Sequence, residues 1–566
     1  MKGKKRWAVV LLLLFVGLLS CTGKSEGEQA SADTTAEEAF LLFDGSSIRC
    51  SIVIPKYYSD AEYSAAKRVR ALLKSLTGIQ AELQTDDAEV AADSYELLIG
   101  STDRPVTREL KEALSYGDYA VQGRGRELAL FSWSEQGLMQ ATDELERLVR
   151  DVVCEKSKTI ALASDINRVG TAVEWELPKY SGGDFRELHD CGDGAYMAYF
   201  ANSDAASLAR YVNSLAAEGY TISTHSLGDN VFYELNKARS RCFAYYTAAF
   251  GEVRMLRDVK PEVALQTPQS GSAETALFTS LANDKAPYVL CLSDNSLVIF
   301  DGHVYSDRDT GEQVRTFYRE LVHICGSEEI RITAWFLSHA HADHTNMLNR
   351  LLTSELADKL TLERVICNVA SSADMGKLGI PDEVANYGNY TAVLRNVQSY
   401  NRQYRKEAAV IKTHTGEVFR FGGVTFEILY THEDYLPRAY PIGGSFKGNG
   451  ANSHSLVMRM TYGEKVVLWT GDMSDEMSEI VEDMYGNALK CDIVQVGHHG
   501  NNTCGKPSFY LKCDPDILLW TWDQRSFEKY VLGLNRAGAR VYEALASRVS
   551  EHIFLAGDAV RKVSLE

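Results

Sequence analysis

Histidine is unevenly spread along the 566 residues: of thirteen, only His189 and His225 fall in the first 300 positions, while eight lie between 339 and 499. The densest group is His339-Ala340-His341-Ala342-Asp343-His344, an H-x-H-x-D-H run between the strand-like RITAWFLS (331–338) and the helix-like TNMLNRLL. Imidazoles and carboxylates at this spacing suit a pair of divalent cations ~3.5 to 4 Å apart, sharing a water whose pKa is drawn toward ~7. Alternation along an extended loop turns His339 and His341 to one side, and Asp343 and His344 can then face a second cation. Such a centre hydrolyses without a side-chain nucleophile.

The run resembles the signature motif of the metallo-β-lactamase superfamily, and the resemblance covers residues 275–566. LVIFDGH (297–303) is similar to that family's early strand ending in Asp-Gly-Gly, with Asp301 in the acidic position and His303 replacing the second glycine. NSHSLVMRMTYGEKVVLWTGDMSDE carries the Gly-Asp pair, and CDIVQVGHHGNN (491–502) ends a buried strand in a His-His-Gly loop. The set is closest to the metallo-hydrolase domain of bacterial DNA-uptake channel proteins and more distantly similar to surface phosphorylcholine esterases, a branch that acts on phosphodiesters. The resemblance implies that His339, His341 and His454 hold one metal, that Asp343, His344 and one of His498 or His499 hold the other, and that Asp472 bridges them. It further implies that Asp343 orients the metal-bound hydroxide, while the spare histidine of the His498-His499 pair contacts a phosphate oxygen or protonates the leaving group. Zinc suits this donor set, which also admits manganese or iron. One departure stands out: where that branch shows an asparagine and a His-Pro pair after the next strand, this chain has DILLWTWDQRSFEKY (516–530). His432, in the YTHEDY loop, is a candidate substitute or substrate contact. His323 and His414 read as a helix residue and a surface strand residue, without a role.

The elements that must position these residues divide into an α/β multidomain chain: a C-terminal αββα metallo-β-lactamase sandwich (275–566) preceded by two small α/β (α+β) domains. Residues 43–170 alternate strand and helix signals. AEYSAAKRVRALLKSLTG (61–78) places Ala66, Val69, Leu72, Leu73 and Leu76 on one helical stripe and stops at Gly78, while YELLIG and ELALFSW are strand-like. This order is similar to the small N-terminal domain preceding catalytic barrels in α-glucuronidases, which implies an accessory domain with glycan contact and no catalytic residues; an unrelated α/β spacer is the alternative. Residues 171–274 open with the linker-like PKYSGGDF and carry an Asp-capped helix between strands, then NVFYEL and CFAYYTA, with no chemical constellation.

At the start of the chain Lys2, Lys4, Lys5 and Arg6 precede an apolar run from Trp7 to Leu19 that is too short to span a membrane. The ending Leu18-Leu19-Ser20-Cys21 resembles the lipobox of bacterial lipoproteins, which makes 1–20 a signal peptide, Cys21 the lipidated anchor on the outer face of the membrane, and 21–42 a flexible linker. The net charge of −18 becomes about −22 without those four basic residues, an acidic balance that repels nucleic acid unless a local basic patch compensates. The remaining cysteines form no CxxC pair and read as core thiols. Together these features predict an exported, lipid-anchored hydrolase with two divalent metal ions, acting on small or cell-envelope phosphodiesters. The alternatives are a glycan-binding lipoprotein whose last domain is only a scaffold, and a lactonase-like or β-lactamase-like amide or ester hydrolase.

Overall fold

The computed structural model describes residues 39–89, 94–153, 159–237, 240–259, 267, 271–279, 287–304, 309–371, 374–375, 387–435, 450–534, 536–554 and 561–566. Cys21 and its flanking segments lie outside the described residues. No helix among the described residues is long and apolar enough to cross a membrane.

The first module is a six-stranded, largely parallel sheet in the order Glu82–Thr85, Cys50–Ile54, Tyr95–Ile99, Glu127–Ser132, Asp118–Arg124, Asn167–Thr171. Its first helix, Asp60–Thr77, starts in a Ser59/Glu62 capping box and ends at Gly78 in the left-handed conformation, as the sequence signals require. That helix and Glu135–Val153 cover one face of the sheet; Pro105–Ala113 covers the other.

The second module is an antiparallel six-stranded sheet, ordered Thr221–Leu227, Asn230–Lys237, Ser240–Thr247, Glu252–Asp258, Ala195–Ala201, Asp184–Gly192. One face packs on the helix Ala205–Ala217, capped by Asp204. The other carries Cys191, Met197, Phe232, Phe243, Tyr245 and Leu256, which join the core of the C-terminal domain. Polar groups secure the same face: the Tyr245 hydroxyl donates to Asp434 Oδ1 at 2.8 Å, Arg254 donates to the Asp434 carbonyl at 3.2 Å, and Asn230 Nδ2 donates to the Met484 carbonyl at 2.7 Å. A buried guanidinium such as Arg254 is tolerable only because Asp434 and Glu252 face it.

The C-terminal domain is built from two mixed sheets. One runs Ala409–Lys412, Arg364–Cys367, Ile330–Leu337, Leu297–Phe300, Tyr288–Cys291, Ala276–Thr279, Arg561–Ser564; the other runs Val418–Phe421, Val424–Tyr430, Val457–Tyr462, Lys465–Trp469, Ile493–Gln495, Ile517–Trp520, Glu551–Phe554. Their facing sides bury one apolar layer that includes Leu290, Phe300, Phe336, Phe426, Met458 and Trp469. Helices Thr310–Cys325, Ala342–Leu352 and Tyr387–Tyr404 cover the outside of the first sheet, and Asp475–Tyr485, Pro507–Cys513 and Arg536–Leu545 the outside of the second. This is an αββα sandwich. The nine cysteines among the described residues are all buried free thiols.

Candidate metal centre

The chemistry-bearing residues gather at one edge of the sandwich, each just past the C-terminal end of a strand with a parallel neighbour. Asp301 follows Leu297–Phe300, His339 follows Ile330–Leu337, Asp472 follows Lys465–Trp469, His499 follows Ile493–Gln495, and Thr521 follows Ile517–Trp520. Parallel strand ends open a crevice of this kind because the connections diverge to either side. His341 caps the helix Ala342–Leu352, which brings Asp343 and His344 round in its first turn.

Two compact donor groups result. Ring nitrogens of His339 and His341 and a carboxylate oxygen of Asp472 lie within 4.8 Å of one another, and so do donor atoms of Asp343, His344 and His499. Asp472 joins the groups: it is 3.8 Å from His339 Nε2, 3.3 Å from His344 Nε2 and 3.5 Å from His499 Nε2. Asp343 lies 3.5 Å from His499 and 3.9 Å from His344.

Burial, helped by the neighbouring rings of His344 and His341, drives the His339 pKa well below the ordinary range; burial lowers His341 too. Both rings therefore keep a lone pair for coordination. Burial would do the same to His344, but Asp472, Asp301 and Asp343 outweigh it and raise that ring's pKa, so the carboxylates around it favour a positive charge at this point, which a bound cation would supply in place of the proton. Asp472 stays ionised because His344, His499 and His339 more than offset its burial. The inward-facing His344 Nε2, His499 Nε2 and Asp472 Oδ1 are buried and make no hydrogen bond. Leaving them so costs about 1–3 kcal/mol each, which cation coordination would relieve. Imidazoles and carboxylates converging in this way fit two divalent cations.

A surrounding set of hydrogen bonds aims the donors. Asp301 accepts from Ser338 N at 2.7 Å and Ser338 Oγ at 2.8 Å, and its Oδ2 is 2.9 Å from His344 Nδ1. Ser338 Oγ is 2.9 Å from His339 Nδ1. Ser455 Oγ accepts from Asp472 N at 3.0 Å and lies 3.3 Å from His339 Nδ1. Thr521 Oγ1 is 2.9 Å from His499 Nδ1; it occupies the stretch where the resembling branch shows its late Asn and His-Pro pair. Asp301 thus acts through His344 and Ser338 rather than as a donor. Ser338, Ser455 and Thr521 carry no sequence signal that distinguishes them from other strand-end hydroxyls.

The remaining expected residues are placed differently. His498 and His499 are both left-handed, at φ 44° and 56°, and this turn sends His499 into the donor group. His498 stays at the rim, its Nδ1 2.7 Å from the Asn502 carbonyl, outside both groups. His454 is buried but also outside them, its ring edge-on to His432 at 5.4 Å and in charge contact with His341. His432 is fully buried, and burial pushes it down to about 4. His323 lies on the helix Thr310–Cys325, as expected. One expectation is corrected. His414 is not a surface strand residue: it lies just past the strand Ala409–Lys412 and is wholly buried between Glu433 (2.8 Å) and Asp258 of the second module (3.2 Å). The second module sends His189 to within 3.0 Å of Asp374.

No protein-family model matches the chain. Among curated proteins it is similar to Recombination protein 2 of Haemophilus influenzae, 26% identical over 174 residues, a match covering 30% of this chain and 19% of that protein. The chain therefore spans about a fifth of the curated relative it matches. Among solved structures it is similar to the metallo-β-lactamase fold protein YhfI of Bacillus subtilis (13% identity, 50% of this chain, 99% of that one, TM-score 0.30) and to CmlA, a diiron β-hydroxylase of Streptomyces venezuelae (12% identity, 52% and 55%, TM-score 0.31). The sheet order, the αββα layering and the H-x-H-x-D-H loop at a strand end carry the assignment. The C-terminal domain has the metallo-β-lactamase fold. Within that fold the two donor groups and the shared Asp472 lie at the strand edge that the sequence motif marks.

Proposed function

We propose that the chain is a metal-dependent hydrolase using two divalent cations, and that its substrates are small or cell-envelope phosphodiesters. The observation that carries this reading is Asp472, whose carboxylate reaches His339 on one side and His344 and His499 on the other. His339, His341 and Asp472 would hold one cation, with Asp343, His344, His499 and Asp472 holding the other; His454 would complete the first from beside His341. Two bound cations supply Lewis acidity toward a phosphoryl oxygen and acidify a water.

The chain's own residues supply the rest. Asp343, at 24% side-chain exposure, is more open than His344 or His499 and is placed to accept a hydrogen bond from an incoming water. His498 donates from Nδ1 to the Asn502 carbonyl, since a carbonyl only accepts, so its neutral ring offers Nε2 as a proton acceptor at the rim. Ser338, Ser455 and Thr521 keep the donor rings in one orientation. The phosphodiester class rests on the N-x-H-S, T-G-D and V-G-H-H-G motifs, and the small or envelope substrate on the acidic balance of the chain. Cys21 would anchor the protein by lipid on the outer face of the membrane, and the acidic balance of the chain weighs against nucleic acid as a partner. Glycan contact by the first module would fall on the exposed rings of Tyr57 and Tyr58, the latter stacked on Tyr63.

The test is elemental mass spectrometry on the soluble body (residues 22–566) paired with hydrolysis of bis(p-nitrophenyl) phosphate before and after chelation. Two metals in the strand-edge centre with chelator-sensitive turnover are expected. A protein that binds no metal and turns over nothing, yet retains polysaccharide, would overturn the reading in favour of a glycan-binding lipoprotein.

A further inference from the structure

The strand Tyr288–Cys291 runs antiparallel to Leu297–Phe300 with Tyr288 opposite Phe300, so Tyr288 stands at the strand edge where Asp301 follows. Its ring meets Trp469 edge-on with centroids 4.6 Å apart, and Phe300 lies 5.1 Å from the same indole. These three rings line a small chamber whose lining also includes Asp301, Asp343, His499 and Thr521. About 20 Å³ of it is open to a water-sized molecule. A buried water needs roughly 10–15 Å³ of such space and about two to four polar partners.

Tyr288 is 1% exposed, and its hydroxyl is buried without a hydrogen-bond partner among the described residues. Burial pushes its pKa up, so the hydroxyl keeps its proton and can donate it. Enclosing such a group unpartnered is costly. Thr521 has hydrogen-bonding capacity to spare on the same chamber. His499 directs Nε2 toward Asp472 and Asp343; with that nitrogen kept for a cation, Nδ1 carries the ring hydrogen and donates to Thr521 Oγ1 at 2.9 Å. The hydroxyl hydrogen of Thr521 is then left for a second acceptor. Two hydroxyl donors and two carboxylate acceptors thus border a space of one water, a molecule that accepts two hydrogen bonds and donates two.

We propose that the chamber is a site for a single ordered water that accepts from Tyr288 and Thr521 and donates to the carboxylates of Asp301 and Asp343. Through that water Tyr288 is a positioning residue: it holds the Thr521 hydroxyl in the orientation that aims His499 at its cation. The water site stands without the hydrolase reading, whereas its effect on the cation rests on that reading.

The test compares the soluble body with Tyr288→Phe, which removes one oxygen and keeps the ring. A high-resolution crystal structure of the wild type should show one water within hydrogen-bond distance of both the Tyr288 and Thr521 hydroxyls. In the metal-free protein Tyr288→Phe should lower the melting temperature, because a partnered hydroxyl is lost; an unpartnered one would leave it unchanged or raised. Zinc affinity, measured by competition with a chromophoric chelator, should weaken about 3- to 10-fold, less than for loss of a direct partner of the histidine. Added to Thr521→Val, Tyr288→Phe should weaken it no further, since both act along one chain of bonds. An empty chamber, or a metal-free Tyr288→Phe protein as stable as the wild type or more so, would overturn the water site. Unchanged zinc affinity in Tyr288→Phe, or full additivity with Thr521→Val, would overturn the positioning role. A wild type that binds no zinc would sink the hydrolase reading and the positioning role with it, while the crystal structure and the melting shift would still decide the water site.

Discussion

His414 should make the docking of the second module pH-dependent. It bonds Glu433 through Nδ1 and Asp258, the last residue of the strand Glu252–Asp258, through Nε2. Burial opposes its charge, but Glu433 and Asp258 outweigh burial and raise its pKa from the ordinary 6.5 to about 9. At ~1.36 kcal/mol per pK unit, the difference is worth about 3 kcal/mol. A raised pKa means that this stabilisation is fully present below about pH 6.5 and is lost as pH rises through about 9. His414→Gln removes it at every pH, so the gap between wild type and variant should close as alkali is added. Native-state hydrogen exchange of the Glu252–Asp258 amides reads the local opening directly. Near pH 6.5 the wild type should be protected roughly a hundredfold more than the variant, and by about pH 9.5 the two should converge. A gap that stays constant across that window would refute the reasoning, because it would mean that His414 carries the same charge throughout.

Four further outcomes follow from the metal centre. Asp472→Asn, removing the carboxylate common to both donor groups, should abolish both strand-edge cations and all turnover with secondary structure intact; full activity would dismiss the site. Thr521→Val removes the partner of His499 Nδ1 and should weaken metal affinity about 10- to 100-fold, measured by competition with a chromophoric chelator. Gly471→Ala puts a Cβ 2.6 Å from the Ser338 Cβ at a φ of +54°, which should lower stability by about 1–3 kcal/mol and displace both Ser338 and Asp472, visible as a lower melting temperature and looser metal binding. Chelation of the wild type should abolish turnover and lower the melting temperature, and readdition of the metal should restore both.

How much was legible in the sequence depended on how local each interaction is. The helix Asp60–Thr77 could be read because its cap, stripe and stop lie within eighteen residues. The H-x-H-x-D-H loop could be read because four of the donors lie within six residues, at the end of a strand whose apolar run is continuous. Asp472 could be located because the strand Lys465–Trp469 ends immediately before Thr470-Gly471-Asp472. His499 could not be separated from His498: adjacent residues would ordinarily point to opposite sides, and which one enters the site depends on two consecutive left-handed residues. Ser338, Ser455 and Thr521 matter only through the atoms they face.

What the sequence alone determined is therefore the chemistry: imidazole and carboxylate donors of the right types, their order along the chain, and the αββα sandwich that presents them. The tertiary structure decided the rest, because it depends on contacts between distant segments. Folding the second module against the C-terminal domain turned His414 from a strand residue of no evident role into a buried cation. The same packing set His189 against Asp374 across a module boundary. A strand's alternation shows which face a residue occupies, but not what will cover that face, and burial by a distant segment is what changes a side chain's charge and partners.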